Sequence, residues 1–314
     1  MGSFFHAVRV FADHLAAVHW QYLAVALAFH LGRLVCRAIA WRAILSAAYP
    51  DDKPKFRSTF GAYAAGVGIN SIVPARAGDA VKLFLIKHRI EGSSYATLTP
   101  TLVAETLFDS VVGIALISWA LAIGALPAHE VYSRLPSVDW GFFVRNEKWT
   151  AIGVATLLTV AVIGFIVFLE RGDDFRARVG RGFAIMRHPT RFLTRVIVPQ
   201  AVSWLLRAAT VYYFLRAFDV HADVHNTLLV MVVDSLATLF PATPGGAGTK
   251  QGLIVFLFAE QAVSKAALLA LSVGMNIATV VFNLVIGAVS LYAMARTLSW
   301  RRVRAAQAEE VTTG

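Results

Sequence analysis

One cysteine in 314 residues, and charged side chains at only 15% of positions, remove two broad classes of protein at once. With Cys36 alone, an intrachain disulfide and a cysteine metal cluster are both excluded. With 57% hydrophobic residues and a mean hydropathy of +0.63, a water-soluble globular domain is excluded as well. Catalytic signatures are also missing. His6, His14, His19 and His30 are scattered without the H-E-x-x-H or carboxylate spacing of a metal site, and no serine sits in a G-x-S-x-G elbow. The run "GGAGTK" fails as a P-loop, because Thr249 precedes Lys250 and Gln251 follows it. No metal, nucleotide or other cofactor is expected, and the chain reads as a non-enzyme.

Acidic residues are scarce relative to basic ones, leaving a formal charge of +10. The excess is concentrated. Seven arginines lie between Arg171 and Arg195, and Arg296, Arg301, Arg302 and Arg304 follow the last apolar run. Basic clusters beside apolar runs are what the positive-inside rule predicts, and they argue against a nucleic-acid partner.

What the chain has in quantity is long apolar runs, at 20–45, 97–126, 151–169, 195–218 and 264–295; the third contains no charge at all. These predict a multi-pass protein of the cell (inner or plasma) membrane. Residues 1–19 carry Phe4, Val8, Phe11, Leu15 and Val18 at helical spacing and no compact signal-peptide core. They predict an interfacial amphipathic helix.

Between the spans lie two Pro/Gly-broken segments, "STFGAYAAGVGINSIVPARAGDAVKLFLIK" at 58–87 and "NTLLVMVVDSLATLFPATPGGAGTKQG" at 226–252. Pro74 and Gly78 lie 167 residues before Pro241 and Gly245, and the same offset carries the span at 97 onto that at 264. The arm before each break has 15 residues, about 22 Å of helix against a hydrocarbon core of roughly 30 Å. Lys53, Lys55 and Arg57 flank the first segment on one side and Lys82, Lys87 and Arg89 on the other, so both its ends read as cytoplasmic. The second segment follows "DVHADVHN" and is trailed only by Lys265, so both its ends read as extracytoplasmic.

The expected fold is therefore all-α: a polytopic inverted repeat of spanning helices with two opposed re-entrant hairpins. Its parts are the interfacial helix 1–19 and a first repeat 20–126 with hairpin 58–90. A stretch at 127–194 follows, holding an extracytoplasmic loop, the linking span and a basic cytoplasmic loop. The second repeat is 195–296 with hairpin 226–262, and 297–314 is a basic tail. The N-terminus is expected outside and the C-terminus inside. Irregular backbone at membrane depth needs a protein or aqueous surround, so the hairpin tips are expected to line a cavity that binds an anionic headgroup. Its candidate residues are Arg76, Asp79, Lys82, Pro241, Gly245, Gly246, Gly248 and Lys250.

Ionisable residues also interrupt the spans. His30, Arg33 and Arg37 form one stripe, Glu105 and Asp109 lie at i, i+4, and Arg207 and Asp234 are isolated in apolar sequence. Each charge costs about 2.5–3.5 kcal/mol at a helix centre on insertion scales, so partners or water must be near. Two roles are open to them: structural ion pairs, or the lining of a polar pathway. Ser272, Asn276 and Asn283 share a face of the last span, Asn276 occupying the position that the 167-residue offset assigns to Asp109. They suit helix-to-helix hydrogen bonding.

Taken with "ETLFD" at 105–109 and "AWRAIL" at 40–45, the two motifs "NSIVPARAGDAVKLFLI" and "PATPGGAGTKQG" resemble the lysylphosphatidylglycerol synthase transmembrane (flippase-like) family over almost the whole chain. The resemblance implies lipid translocation and an acid–base pair after the first break, here Asp79 and Lys82. After the second break the family pattern favours a glutamate; this chain has Gln251. A stand-alone member is expected, without the aminoacyltransferase domain. Its partner would be a membrane lipid with an anionic headgroup. Polyprenyl-phosphate carriers, or a role as the non-transporting partner of a lipid or glycan synthase, are the alternatives.

Overall fold

The computed structural model describes residues 18–73, 76–124, 173–239, 249–258 and 264–313. Every element among them is helical. Helix α1 spans Trp20–Ala48, α2 Phe56–Asn70, α3 Ala77–Lys87 and α4 Tyr95–Ala122. Helix α5 spans Asp173–Gly182, α6 Val198–Ala217, α7 Val224–Leu239, α8 Thr249–Leu257 and α9 Lys265–Thr313. The interfacial helix expected at 1–19 and the span at 151–169 lie outside the described residues, apart from Val18 and His19.

Local chemistry sets the boundaries. Helix α1 stops at Tyr49 because Pro50 disfavours helical backbone in the residue before it. Helix α4 stops before Gly124, whose φ of 72° takes the left-handed conformation that closes many helices. Arg76, with φ 57°, holds the same conformation immediately before α3. A five-residue π turn, Leu193–Ile197, runs directly into α6.

Trp20–Ala48, Tyr95–Ala122 and Ala266–Arg296 are long and apolar enough to cross a membrane. Helix α6, at 20 residues, has the length but carries Gln200, Arg207 and Arg216; it lies along α1. The outward surfaces are apolar. Ile277, Val281, Val285 and Val289 form an exposed row at i+4 spacing on α9, and Val103, Leu107, Val111 and Ile114 form another on α4. Such stripes suit lipid. The interior is largely apolar too, but it holds a set of buried polar side chains that includes His30, Arg37, Lys82, Glu105 and Gln200.

The packing repeats itself. Helix α2 packs on α3 and α9, while α7 packs on α8 and α4; α1 and α6 pack on each other between them. Exchanging α1–α4 for α6–α9 therefore returns the same scheme of contacts. Helices α1 and α6 run antiparallel, since the His19 amide at the start of α1 donates to the Ala217 carbonyl at the end of α6 at 3.0 Å. Helices α2 and α3 form an antiparallel hairpin, in which Gly66 faces both Gly78 and Lys82. The open ends of that hairpin lie together, the Glu91 amide donating to Asp52 Oδ2 at 2.8 Å. They sit at the C-terminal end of α1, whereas α7 starts beside the C-terminal end of α6, at the opposite end of the α1–α6 pair.

Candidate functional site

A cavity of about 740 Å³ lies between the two halves, with walls from α1, α2, α3, α4, α6, α7, α8 and α9. Charge is densest where α1, α3 and α4 meet. The Arg37 guanidinium grips Asp109 with both terminal nitrogens, at 2.9 Å to Oδ1 and 2.5 Å to Oδ2, and reaches Glu105 Oε1 at 3.0 Å. Its Nε donates to the Tyr63 hydroxyl. The planar fork of arginine suits this two-carboxylate grip, which a point-like ammonium could not reproduce. Lys82 Nζ takes the other Glu105 oxygen at 2.6 Å and lies over the rings of Trp41, at 4.4 Å, and Tyr63, at 4.1 Å. Ring faces carry negative potential, so the two aromatics add to the stabilisation of the buried ammonium.

A second cluster sits on the other half. Asp234 of α7 lies between Lys250 of α8, at 2.9 Å, and Arg207 of α6, at 3.3 Å. Trp204 joins the two clusters: its indole N–H donates to Asp109 Oδ1 at 2.9 Å, and Arg207 stacks over its ring at 4.7 Å. Gln200, one turn away, donates to the Glu105 backbone carbonyl at 3.0 Å. Each half thus ties a lysine that follows its hairpin break to a carboxylate on a neighbouring helix.

The first break is tethered by amides. Asn70 Oδ1 accepts from the Gly78 amide at 2.7 Å, and Asn70 Nδ2 approaches Asp79 Oδ1 at 3.4 Å. Asn283 of α9 donates to Ser71 Oγ at 3.1 Å, and its Oδ1 lies 2.9 Å from His30 Nε2, which places the ring proton on Nε2. Asn283 is therefore a link between three helices, as its sequence position suggested, while Ser272 Oγ is buried and finds no partner among the described residues.

Eleven of the candidates named from sequence line this one cavity. From the headgroup set they are Arg76, Asp79, Lys82 and Lys250; from the pathway set, Arg33, Arg37, Glu105, Asp109, Arg207, Asp234 and Asn276. Pro241, Gly245, Gly246 and Gly248 lie outside the described residues. Arg33 and Arg76 make no ion pair or hydrogen bond among the described residues, unlike Arg37 and Arg207. Tyr63, Trp41, Trp204, Gln200 and Asn70 complete the site and were not singled out from sequence. Nothing in their spacing marks them; only the cross-helix contacts do.

The pattern of the lysylphosphatidylglycerol synthase transmembrane region matches residues 4–287, nearly the whole chain. The chain belongs to that family. Its relatives in the family include UPF0104 membrane proteins of two archaea. One, from Methanothermobacter thermautotrophicus, is 21% identical over 76% of this chain and 73% of its own length. Another, from Methanocaldococcus jannaschii, is 21% identical over 73% of this chain and 95% of its own. A glycosyltransferase, AglD of Haloferax volcanii, is 27% identical over 65% of this chain but only 38% of its own length. No solved structure matches. This member of the synthase transmembrane family is thus a multi-pass membrane protein with a charge-lined cavity between two similarly packed halves.

Proposed function

We propose that this protein moves an anionic or glycosylated lipid between membrane leaflets by alternating access. The observation that carries the reading is the shared cavity: Arg33, Arg37, Glu105 and Asp109 of one half and Arg207, Asp234 and Lys250 of the other line the same space. Lipid-facing stripes on α4 and α9 leave acyl chains in the bilayer while a headgroup occupies that polar interior.

The two halves act as inverted repeats, 20–126 and 195–296, each with a re-entrant hairpin. The self-exchanging packing, the antiparallel α1–α6 pair and the hairpin openings at opposite ends of that pair support this arrangement. Rocking one repeat against the other would expose the cavity to each leaflet in turn. Within this scheme Lys82 and Lys250 hold their carboxylates in the resting state and exchange them for lipid oxygens during the cycle. The likeness to a protein named as a glycosyltransferase favours a second reading, a non-transporting partner of a lipid or glycan synthase.

The test is reconstitution into liposomes with a reporter lipid placed in one leaflet and its accessibility followed over time. The panel should span phosphorylated, aminoacylated and glycosylated lipids. Lys82→Ala and Lys250→Ala should each slow translocation about tenfold, the loss of roughly 1.4 kcal/mol at the barrier. Arg302→Ala, in the tail, should leave it unchanged. No movement above protein-free liposomes for any lipid would favour the synthase partner.

A further inference from the structure

We infer that the cavity selects a headgroup bearing two negative charges on one phosphate, a phosphate monoester, and that Arg33 is its principal contact. The inference rests on the translocation reading and narrows its substrate class.

Six cationic side chains line the cavity against four carboxylates, an excess of two positive charges among the described residues. Arg37 and Lys82 share Glu105 and Asp109, a balanced set of four, whereas Arg207 and Lys250 share Asp234 alone, a set of three that keeps one positive charge. Asp79 lies beside Asn70 and makes no ion pair among the described residues. The sequence between the described arms of each hairpin adds nothing to the balance: residues 74–75 and 240–248 contain no charged side chain. Arg76 is exposed and offsets Asp79 in the count, so the surplus inside the cavity is the half-buried Arg33 and the unbalanced Arg207–Lys250–Asp234 set, which an occupant of opposite charge matches best.

Position names the contact. Arg33 lies one helical turn before Arg37 on the same stripe and within electrostatic reach of Arg207. Three guanidinium groups therefore share one wall, and Arg33 is the one that makes no ion pair among the described residues, with Asp109, already held by Arg37, as the carboxylate within its electrostatic reach. Arg207 Nε is also buried without an acceptor among the described residues. A guanidinium presents paired N–H donors that fit two phosphate oxygens at once. A phosphate monoester carries nearly two negative charges above pH 7, whereas a diester carries one. An aminoacylated diester lipid, with a net positive headgroup, fits the same surplus poorly.

Binding to the purified full chain in nanodiscs separates these classes. The probes are dihexanoyl phosphatidic acid, dihexanoyl phosphatidylglycerol, its lysyl derivative and inorganic phosphate, compared at pH 8. The monoester should bind about tenfold or more tightly than the diester, and the lysyl lipid more weakly still. Arg33→Gln should remove that preference, Arg33→Lys should keep part of it, and Arg302→Ala should leave it intact. Equal affinity for monoester and diester in the wild-type protein would overturn the inference, whatever the variants do. So would an Arg33→Gln protein with its preference unchanged, or inorganic phosphate binding as tightly as the lipid. Selective monoester binding without liposome translocation would uphold the charge assignment and remove the flippase reading.

Discussion

Glu105 is the residue on which the first charge cluster depends. Its two oxygens serve different cations, Arg37 at 3.0 Å and Lys82 at 2.6 Å, and its own backbone carbonyl holds Gln200. Replacing Glu105 by Gln keeps the size but removes the carboxylate charge paired with the Lys82 ammonium. Breaking a buried pair from one side costs about 3–5 kcal/mol, because the remaining charge stays buried without its partner. Glu105→Gln should therefore lower thermal stability in detergent far more than the double change Glu105→Gln with Lys82→Met. The coupling energy from a double-mutant cycle measures the pair directly, and a value near zero would mean that the two side chains do not support each other. The charges were legible in the sequence, since an arginine or carboxylate in an apolar run demands a partner. Their exact partners were only partly so. The i, i+4 spacing of Glu105 and Asp109 put both on one face, and Arg37 meets both, but Arg33 on the same stripe meets neither. Nothing in the sequence marks Trp204 or Tyr63, because an indole N–H or phenol hydroxyl gains its role only from what packs opposite.

At the scale of elements, the breaks in the hairpins were legible and the closeness of their arms was not. Pro74, far from any helix start and flanked by Gly68 and Gly78, marks a break, so the sequence alone separates α2 from α3, although Pro100 is accommodated inside α4. Why Gly78 in particular is glycine emerges from the packing: a Cβ there would lie 1.9 Å from the Gly66 carbonyl oxygen and 2.7 Å from Asn70 Oδ1. The first neighbour is backbone and cannot rotate away. Gly252, in the corresponding arm of the other hairpin, has nothing within 4 Å of such a Cβ. Gly78→Ala should therefore destabilise the protein by about 2 kcal/mol or more through overpacking. Gly252→Ala should stay within about 0.5 kcal/mol, helped slightly by the better helix propensity of alanine. Thermal unfolding of the two variants side by side checks both, and similar midpoints would mean that α2 and α3 do not approach as closely as described.

At the scale of the whole molecule, the arrangement across the membrane connects the fold to transport. In the proposed topology, the basic residues on either side of the first hairpin, against Lys265 alone after the second, would orient the two openings oppositely. In the packing, the Asp52–Glu91 hydrogen bond lies at the C-terminal end of α1, while α7 begins at the far end of the antiparallel pair. The proposed inverted arrangement requires an odd number of crossings between the halves: α1, α4 and the charge-free run at 151–169 that the sequence marks as a span. Single cysteines introduced in a Cys36→Ser background test this directly. Positions 53 and 89 should both react only with reagent delivered to the cytoplasmic face, and positions 222 and 263 only with reagent outside. If 53 and 89 label from opposite faces, the first broken segment spans the membrane, the halves are not inverted, and alternating access by exchange of the two repeats is ruled out. If both pairs label as expected, the two hairpin tips enter the bilayer from opposite sides and meet at the same charge-lined space, which is the geometry that lets one headgroup site face each leaflet in turn.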